Sequence, residues 1–218
     1  MCVIDDALVD PARWVELARR HATGFVEAPR NAYPGIELPM PDSIGLQCMA
    51  YFDQHLSAPF GLSGTRHGHV KLAMATHREG QLQPFQTIPH IDRLRMEDGQ
   101  VAMASVLYLF ADEGLGGTSF YKPRVDAGRL AALFEDAARL DAASFGERHR
   151  LPRRYPAASN AWFERVLTLP PRWNRLIAYP GTIFHSSDLP NPARLAPDPG
   201  AGRLTLNGFF ACERARAA

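Results

Sequence analysis

The sequence predicts a mainly β fold with flanking helices, and three observations carry that prediction. Residues 67–76 alternate strictly, with His67, His69, Lys71, Ala73 and Ala75 in one phase and Gly68, Val70, Leu72 and Met74 in the other. A period of two is the signature of a strand. Residues 101–110 (VAMASVLYLF) are short and almost wholly apolar, as a strand covered on both faces would be. The 18 prolines and 17 glycines among 218 residues cut the chain into many short segments, which a strand-rich fold with turns requires.

The bulk numbers bound the rest. A length of 218 residues fits one domain. Residues 1–218 are therefore expected to form a single unit, with residues 1–65 supporting a core over 66–212 and a helical insertion at about 126–170. A net charge of +1 gives no overall field for nucleic acid or a membrane surface, so neither is expected as a partner. No apolar run approaches membrane-spanning length. Cys2, Cys48 and Cys212 are scattered and odd in number, which is no disulfide framework and suits a reducing compartment. Asp5 and Asp6 interrupt the start and no apolar h-region follows, so a cytoplasmic protein is expected.

In order, the first element is a helix after Asp10 and Pro11, with Trp14, Leu17, Ala18 and His21 at helical spacing. Residues 24–41 carry Pro29, Pro34, Pro39 and Pro41 and read as an extended wrapping segment. A second helix starts at Asp42 or Ser43 and runs to His55, with Ile44, Cys48, Tyr51 and Phe52 inward and Pro59 and Gly61 beyond its end. The strand from about Arg66 turns near Gly80 and continues into a second extended stretch through Asp92. Residues 101–110, 114–121, 173–179, 182–186 and 203–210 supply further strands. Between them, residues 126–145 are rich in helix formers, with Leu130, Leu133, Phe134, Ala137 and Leu140 on one side. The basic run Arg148, His149, Arg150, Arg153 and Arg154 reads as a solvated face, and a short helix is expected through Trp162 and Phe163.

The chemistry concentrates at Pro89-His90-Ile91-Asp92. On extended backbone, His90 and Asp92 point the same way. Alone this says little: eight histidines and 13 aspartates in 218 residues give roughly half a His-x-Asp by chance. A second histidine brought near by the fold would complete a two-His, one-carboxylate face, which leaves positions open on iron. His185 is the candidate. Arg203, Thr205 and Asn207 alternate on one face of the last strand, with Leu204 and Leu206 opposite.

Taken together, Pro89-His90-Ile91-Asp92, Val106-Leu107-Tyr108-Leu109, Gly117-Thr118-Ser119-Phe120, His185, and Arg203-Leu204-Thr205 before Phe209-Phe210 resemble the iron(II)- and 2-oxoglutarate-dependent dioxygenases. The likeness is to the prolyl-hydroxylase-like branch and its bacterial relatives, and it covers residues 66–212. It implies a double-stranded β-helix, a jelly roll like that of the cupins, with N-terminal helices buttressing one sheet. It implies Fe(II) on His90, Asp92 and His185, and 2-oxoglutarate as cosubstrate. Arg203 would grip the far carboxylate of the oxo acid, with Thr205 adding a hydroxyl and Tyr108 a further contact. A C–H bond of a small molecule, amino acid or peptide would be hydroxylated with release of succinate and CO2. Asp92 occupies the place a halide takes in the related halogenases, so hydroxylation is the implied outcome.

Two departures stand out. Arg203 lies 18 residues after His185, across a proline-rich loop over 186–202, and Arg194 is nearer in sequence but has no Arg-x-Thr strand around it. The gap of 93 positions from Asp92 to His185 is accommodated by the helical insertion, since loop-closure cost grows slowly with length. His67-Gly68-His69 also fits the His-x-His of a cupin-like metalloenzyme that does not use 2-oxoglutarate, although the next acid, Glu79, is ten residues further on. A catalytically silent jelly-roll binding protein is the third reading. His77 and Lys122 are candidate pocket residues. Phe120, Tyr121, Trp162 and Trp173 are candidates for an aromatic wall, with core packing as the alternative, and Cys48 reads as core.

Overall fold

The last long strand is the centre of the molecule. A computed structural model describes residues 1–28 and 32–215. Pro29 of the expected wrapping segment lies outside the described residues. Strand β10 (Arg203–Arg214) pairs on one side with β4 (Leu62–Ala75) and on the other with β5 (Gln100–Tyr108). Outward from these run β3 (Gly35–Pro39) and β2 (Val26–Glu27) on one flank, and β8 (Leu176–Pro180) and β1 (Cys2–Ile4) on the other. The seven-stranded order is β1-β8-β5-β10-β4-β3-β2, with every pair antiparallel. A second antiparallel sheet has the order β7-β6-β9, from β6 (Thr118–Pro123), β7 (Phe163–Leu169) and β9 (Phe184–Ser187). Four α-helices complete the described residues: α1 (Ala12–Arg20), α2 (Asp42–His55), α3 (Ala127–Arg139) and α4 (Ala142–His149).

The alternation read from the sequence assigns the two faces of the large sheet. Val70, Leu72 and Met74 of β4, Leu204, Leu206 and Phe210 of β10, and Met103 and Leu107 of β5 point one way. There they form one apolar cluster with Val15 and Ala18 of α1 and Phe52 of α2. Phe52 stacks obliquely on Phe210 with ring centroids 4.7 Å apart. The opposite face carries Ala75, Ala104, Tyr108, Ile177 and Tyr179, which meet Phe120 of the small sheet. Beyond the small sheet, Tyr121, Phe163 and Phe184 pack on Leu133 and Ala137 of α3 and Phe145 of α4. The layers therefore run helices, large sheet, small sheet, helices.

Several elements differ from the sequence expectation. The stretch through His90 and Asp92 is not a ladder strand. A 3-10 turn at Pro84–Gln86 precedes it, and a single bridge at His90 follows. Pro84 and Pro89 remove backbone donors, so a continuous ladder could not form there. In place of the helix expected through Trp162 and Phe163, a bend at Trp162 leads into β7, which starts at Phe163. The Asn160 side chain accepts from the amides of both residues at 2.8 and 2.9 Å and launches the strand from a turn. The wrapping segment contains β2 and β3. The helical stretch from 126 is two helices, broken where Leu140 turns extended and Asp141 caps α4 through the amides of Ala143 and Ser144.

The aromatic candidates are packed. Tyr121 donates to Pro156 O, Trp162 Nε1 donates to His149 O, and Trp173 lies against the outer core. Cys48 belongs to the same outer cluster, and all three cysteines are free. In the basic run, Arg148 and His149 pair with Asp136 and Arg153 holds Leu82 O. No helix among the described residues is long and apolar enough to cross a membrane.

Candidate active site

Backbone pairing brings His90 and His185 face to face. The amide of each donates to the carbonyl of the other, at 3.0 and 2.9 Å, so both side chains leave on one side. Their ring centroids are 4.5 Å apart. Asp92, two residues on, keeps the same phase, and its amide donates to Gly181 O at 2.8 Å. A Cβ on Gly181 would stand 3.1 Å from Asp92 Cβ, so the glycine is what lets the aspartate come this close. His90, Asp92 and His185 each offer a ligand atom, all within 4.8 Å of one another, and form the one such cluster among the described residues. These three side chains can hold a metal ion.

Their protonation suits that task. Burial holds the His90 imidazole well below its ordinary 6.5, with the charges of His185 and Lys71 pushing the same way, so the ring stays neutral with a lone pair to give. His185 Nδ1 lies 2.9 Å from Ile183 O, a contact only an N–H can make, which leaves Nε2 as the free ligand nitrogen. Burial raises the Asp92 carboxyl above 3.8, opposed by His185, Lys71 and His69. Asp92 Oδ2 is buried without a hydrogen-bond partner, 3.6 Å from His185 Nε2. A buried, orphaned carboxylate oxygen beside imidazole nitrogen is a donor set that a divalent cation completes.

The triad faces a cavity of about 1200 Å³ that is also lined by Arg203, Thr205 and Asn207 of β10 and Thr118 of β6. Arg203 is 1% exposed, and its known partners are neutral. Its Nε and Nη2 donate to Gly116 O and Gly117 O at 3.0 and 2.7 Å, and its guanidinium lies over the rings of Tyr108 and Phe110 at 5.9 and 5.7 Å. The Tyr33 phenol lies near Arg203 and Thr205, and burial raises its pKa. No ion pair among the described residues includes Arg203. A guanidinium this buried, with carbonyls and rings for company, lacks an anion.

The double-glycine turn makes that placement possible. Gly116 has φ +81°, and a Cβ there would lie 1.7 Å from Asp188 O; one on Gly117 would lie 1.9 Å from Leu169 O. Thr205 is fully buried, lines the cavity and donates a long hydrogen bond to Ala73 O at 3.4 Å. Tyr108 is equally buried but does not line the cavity. Its hydroxyl is engaged with Thr118 Oγ1 at 2.8 Å, so Thr118 stands where the sequence put Tyr108.

Other candidates are placed elsewhere. Arg194 pairs with Asp112 on the surface. Lys122 is exposed and pairs with Glu164 at 3.2 Å. His77 is buried against Glu27 at 3.3 Å and is not among the cavity's lining residues. His67 lies on the outside near Arg95 and Glu97, and His69 lines the cavity stacked on Phe209 at 5.0 Å. Neither belongs to the metal-capable group. Sequence reasoning missed Tyr33 and Glu37, which line the cavity from the proline-rich segment where no motif marked them. Lys71 was visible only as one member of an alternating strand.

Comparison with known proteins gives a family. Residues 1–210 match the model described as "Family of unknown function (DUF6445)". The chain belongs to that family. No curated protein matches this DUF6445 chain. Among solved structures it is similar to a Pseudomonas putida prolyl-4-hydroxylase, at 18% identity over 99% of this chain and 92% of that one, with TM-score 0.47. It is also similar to HygX from Streptomyces hygroscopicus with nickel and 2-oxoglutarate bound, at 10% identity over 96% and 81%, TM-score 0.48. A third likeness is to AviO1 from Streptomyces viridochromogenes, at 14% identity over 99% and 88%, TM-score 0.45.

Proposed function

We propose that this DUF6445 protein is an Fe(II)- and 2-oxoglutarate-dependent oxygenase that hydroxylates a C–H bond of a small molecule, amino acid or peptide. We read its two sheets as the double-stranded β-helix, or jelly roll, of that superfamily, forming one domain over the chain. The observation that carries the proposal is the buried Arg203, without an anion, lining the same cavity as His90, Asp92 and His185. A metal-capable face and an anion-seeking guanidinium in one cavity suit a dicarboxylate that chelates at one end and is gripped at the other. The motif order along the sequence supports the same reading.

In this account, His90, Asp92 and His185 hold Fe(II) through imidazole nitrogens and a carboxylate oxygen, a set that suits Fe(II) and leaves open positions. A metal held there would let dioxygen act as the oxidant, with 2-oxoglutarate converted to succinate and CO2, one oxygen atom entering the substrate C–H bond and the other entering succinate. The chain's own residues do the positioning. Ile183 O fixes the His185 tautomer. The Gly116 and Gly117 carbonyls aim Arg203, whose planar fork suits a carboxylate in a way a lysine ammonium does not. Thr205 and Tyr33 hold hydroxyls beside that fork, and Tyr108 orients Thr118. Phe120 and Tyr179, T-shaped at 5.0 Å, keep water from the back of His185.

Anaerobic titration tests the reading. Fe(II) followed by 2-oxoglutarate should give the visible charge-transfer absorption of an iron-bound oxo acid. Arg203→Ala should weaken 2-oxoglutarate at least tenfold more than it weakens iron, with Arg203→Lys in between. Loss of iron binding with 2-oxoglutarate affinity intact would make the assignment of Arg203 wrong.

A further inference from the structure

The cavity contains a second polar group that neither the metal triad nor Arg203 uses. Strands β3, β4 and β10 bring Glu37, Lys71 and Asn207 to the inner face of the large sheet. Asn207 stands opposite Lys71 in the β10–β4 register, and Glu37 is two residues along β3 from Pro39, the partner of Lys71. Lys71 Nζ lies 2.6 Å from Glu37 Oε1, and these side chains are only 18% and 7% exposed. The contact is one of charge rather than a well-directed hydrogen bond, since Oε1 finds no hydrogen-bond partner. Asn207 is 7% exposed, lines the cavity, and its Oδ1 has no hydrogen-bond partner in the protein. Glu37, Lys71 and Asn207 line the same cavity as His90, Asp92 and His185.

Buried polar atoms are almost always paired, and those that are not commonly await something outside the chain. The unpaired atom here, Asn207 Oδ1, is an acceptor, so what completes it must bring an N–H or O–H donor. The ion pair sets the charge. A ligand with an anion alone would meet Glu37 as it approached Lys71, and one with a cation alone would meet Lys71 as it approached Glu37. A ligand carrying both charges side by side satisfies all three residues. Its ammonium falls to Glu37 and Asn207 Oδ1, and its carboxylate falls to Lys71.

We propose that Glu37, Lys71 and Asn207 form the seat for the head group of the prime substrate, and that this head group is an α-ammonium carboxylate, as in a free amino acid. The site's chemistry rests on the oxygenase reading above, but the binding does not. Calorimetric titration of the full chain, metal-free and nickel(II)-loaded, with individual L-amino acids tests it. At least one should bind, and its N-acetyl and methyl ester forms should each bind at least tenfold more weakly. Asn207→Leu should cost at least tenfold, as should the double variant E37Q/K71Q, which removes both charges and so leaves no lone buried ion. The proposal is overturned if no amino acid binds, if the capped forms bind as well as the free one, or if both variants bind like the wild type. A parallel titration with 2-oxoglutarate separates the two ideas. Its failure to bind sinks the oxygenase reading, while the head-group result stands or falls on its own.

Discussion

Asp92 Oδ2 is buried, has no hydrogen-bond partner, and belongs to a carboxyl whose pKa burial raises above 3.8. The sign follows from linkage. Without metal, the folded state disfavours the charged carboxylate, so this group subtracts stability as pH rises through 3.8 and goes on doing so at neutral pH. A bound cation reverses that cost. Asp92→Asn should therefore raise the melting temperature of the metal-free protein at pH 7, by about 2–4 °C for each kcal/mol gained. The same variant should abolish the stabilisation that added metal gives the wild type. Thermal melts with and without Fe(II) or nickel(II) check both halves; a variant that still gains stability from metal would remove Asp92 from the ligand set. At this scale the sequence was legible where chemistry is local. His90, Asp92, His185 and Arg203 were named from residue type and order, and all four line one cavity. Tyr108 was named as a direct contact, yet its hydroxyl is engaged with Thr118, a detail of side-chain packing that no motif encodes.

Among elements, the Gly116-Gly117 turn and helix α2 do separate jobs that substitution can tell apart. A methyl group at Gly116 would collide with Asp188 O, so Gly116→Ala must open the turn and move the carbonyl that receives Arg203 Nε. It should weaken 2-oxoglutarate binding as Arg203→Ala does while metal affinity holds, a contrast that titration of each ligand reads directly. Phe52 is 1% exposed and fills the outer core against Phe210. Phe52→Ala should cost about 3–5 kcal/mol of stability, measured by denaturant unfolding, yet leave metal binding unchanged at a temperature where the variant is folded. Elements with strong patterns were legible: α2 runs over Asp42–His55 as expected, β4 and β10 follow their alternation, and β5 lies in the apolar run. The short ones were not. Strand β3 is hidden among prolines, and β7 starts at aromatic residues that suit a helix equally well until Asn160 turns the chain. The stretch before His90 reads as a strand but is held by one bridge, because its prolines cannot donate.

For the whole molecule, the two sheets place residues from opposite ends of the sequence around one cavity. His90 and His185 meet through a bridge that spans the entire helical insertion, and Tyr33 reaches Arg203 across still more of the chain. Their convergence followed from motif order along the sequence, since each segment alone is unspecific. The substrate side was not legible, because Glu37, Lys71 and Asn207 sit on three strands that become neighbours only through sheet register. The most direct test of the central claim is succinate formation by the Fe(II)-loaded protein given 2-oxoglutarate and dioxygen, with and without pooled amino acids and peptides. The account predicts succinate that requires Fe(II), rises with one of the pools, and disappears in Asp92→Asn and Arg203→Ala. No succinate with any pool, together with no charge-transfer absorption under anaerobic conditions, would contradict it.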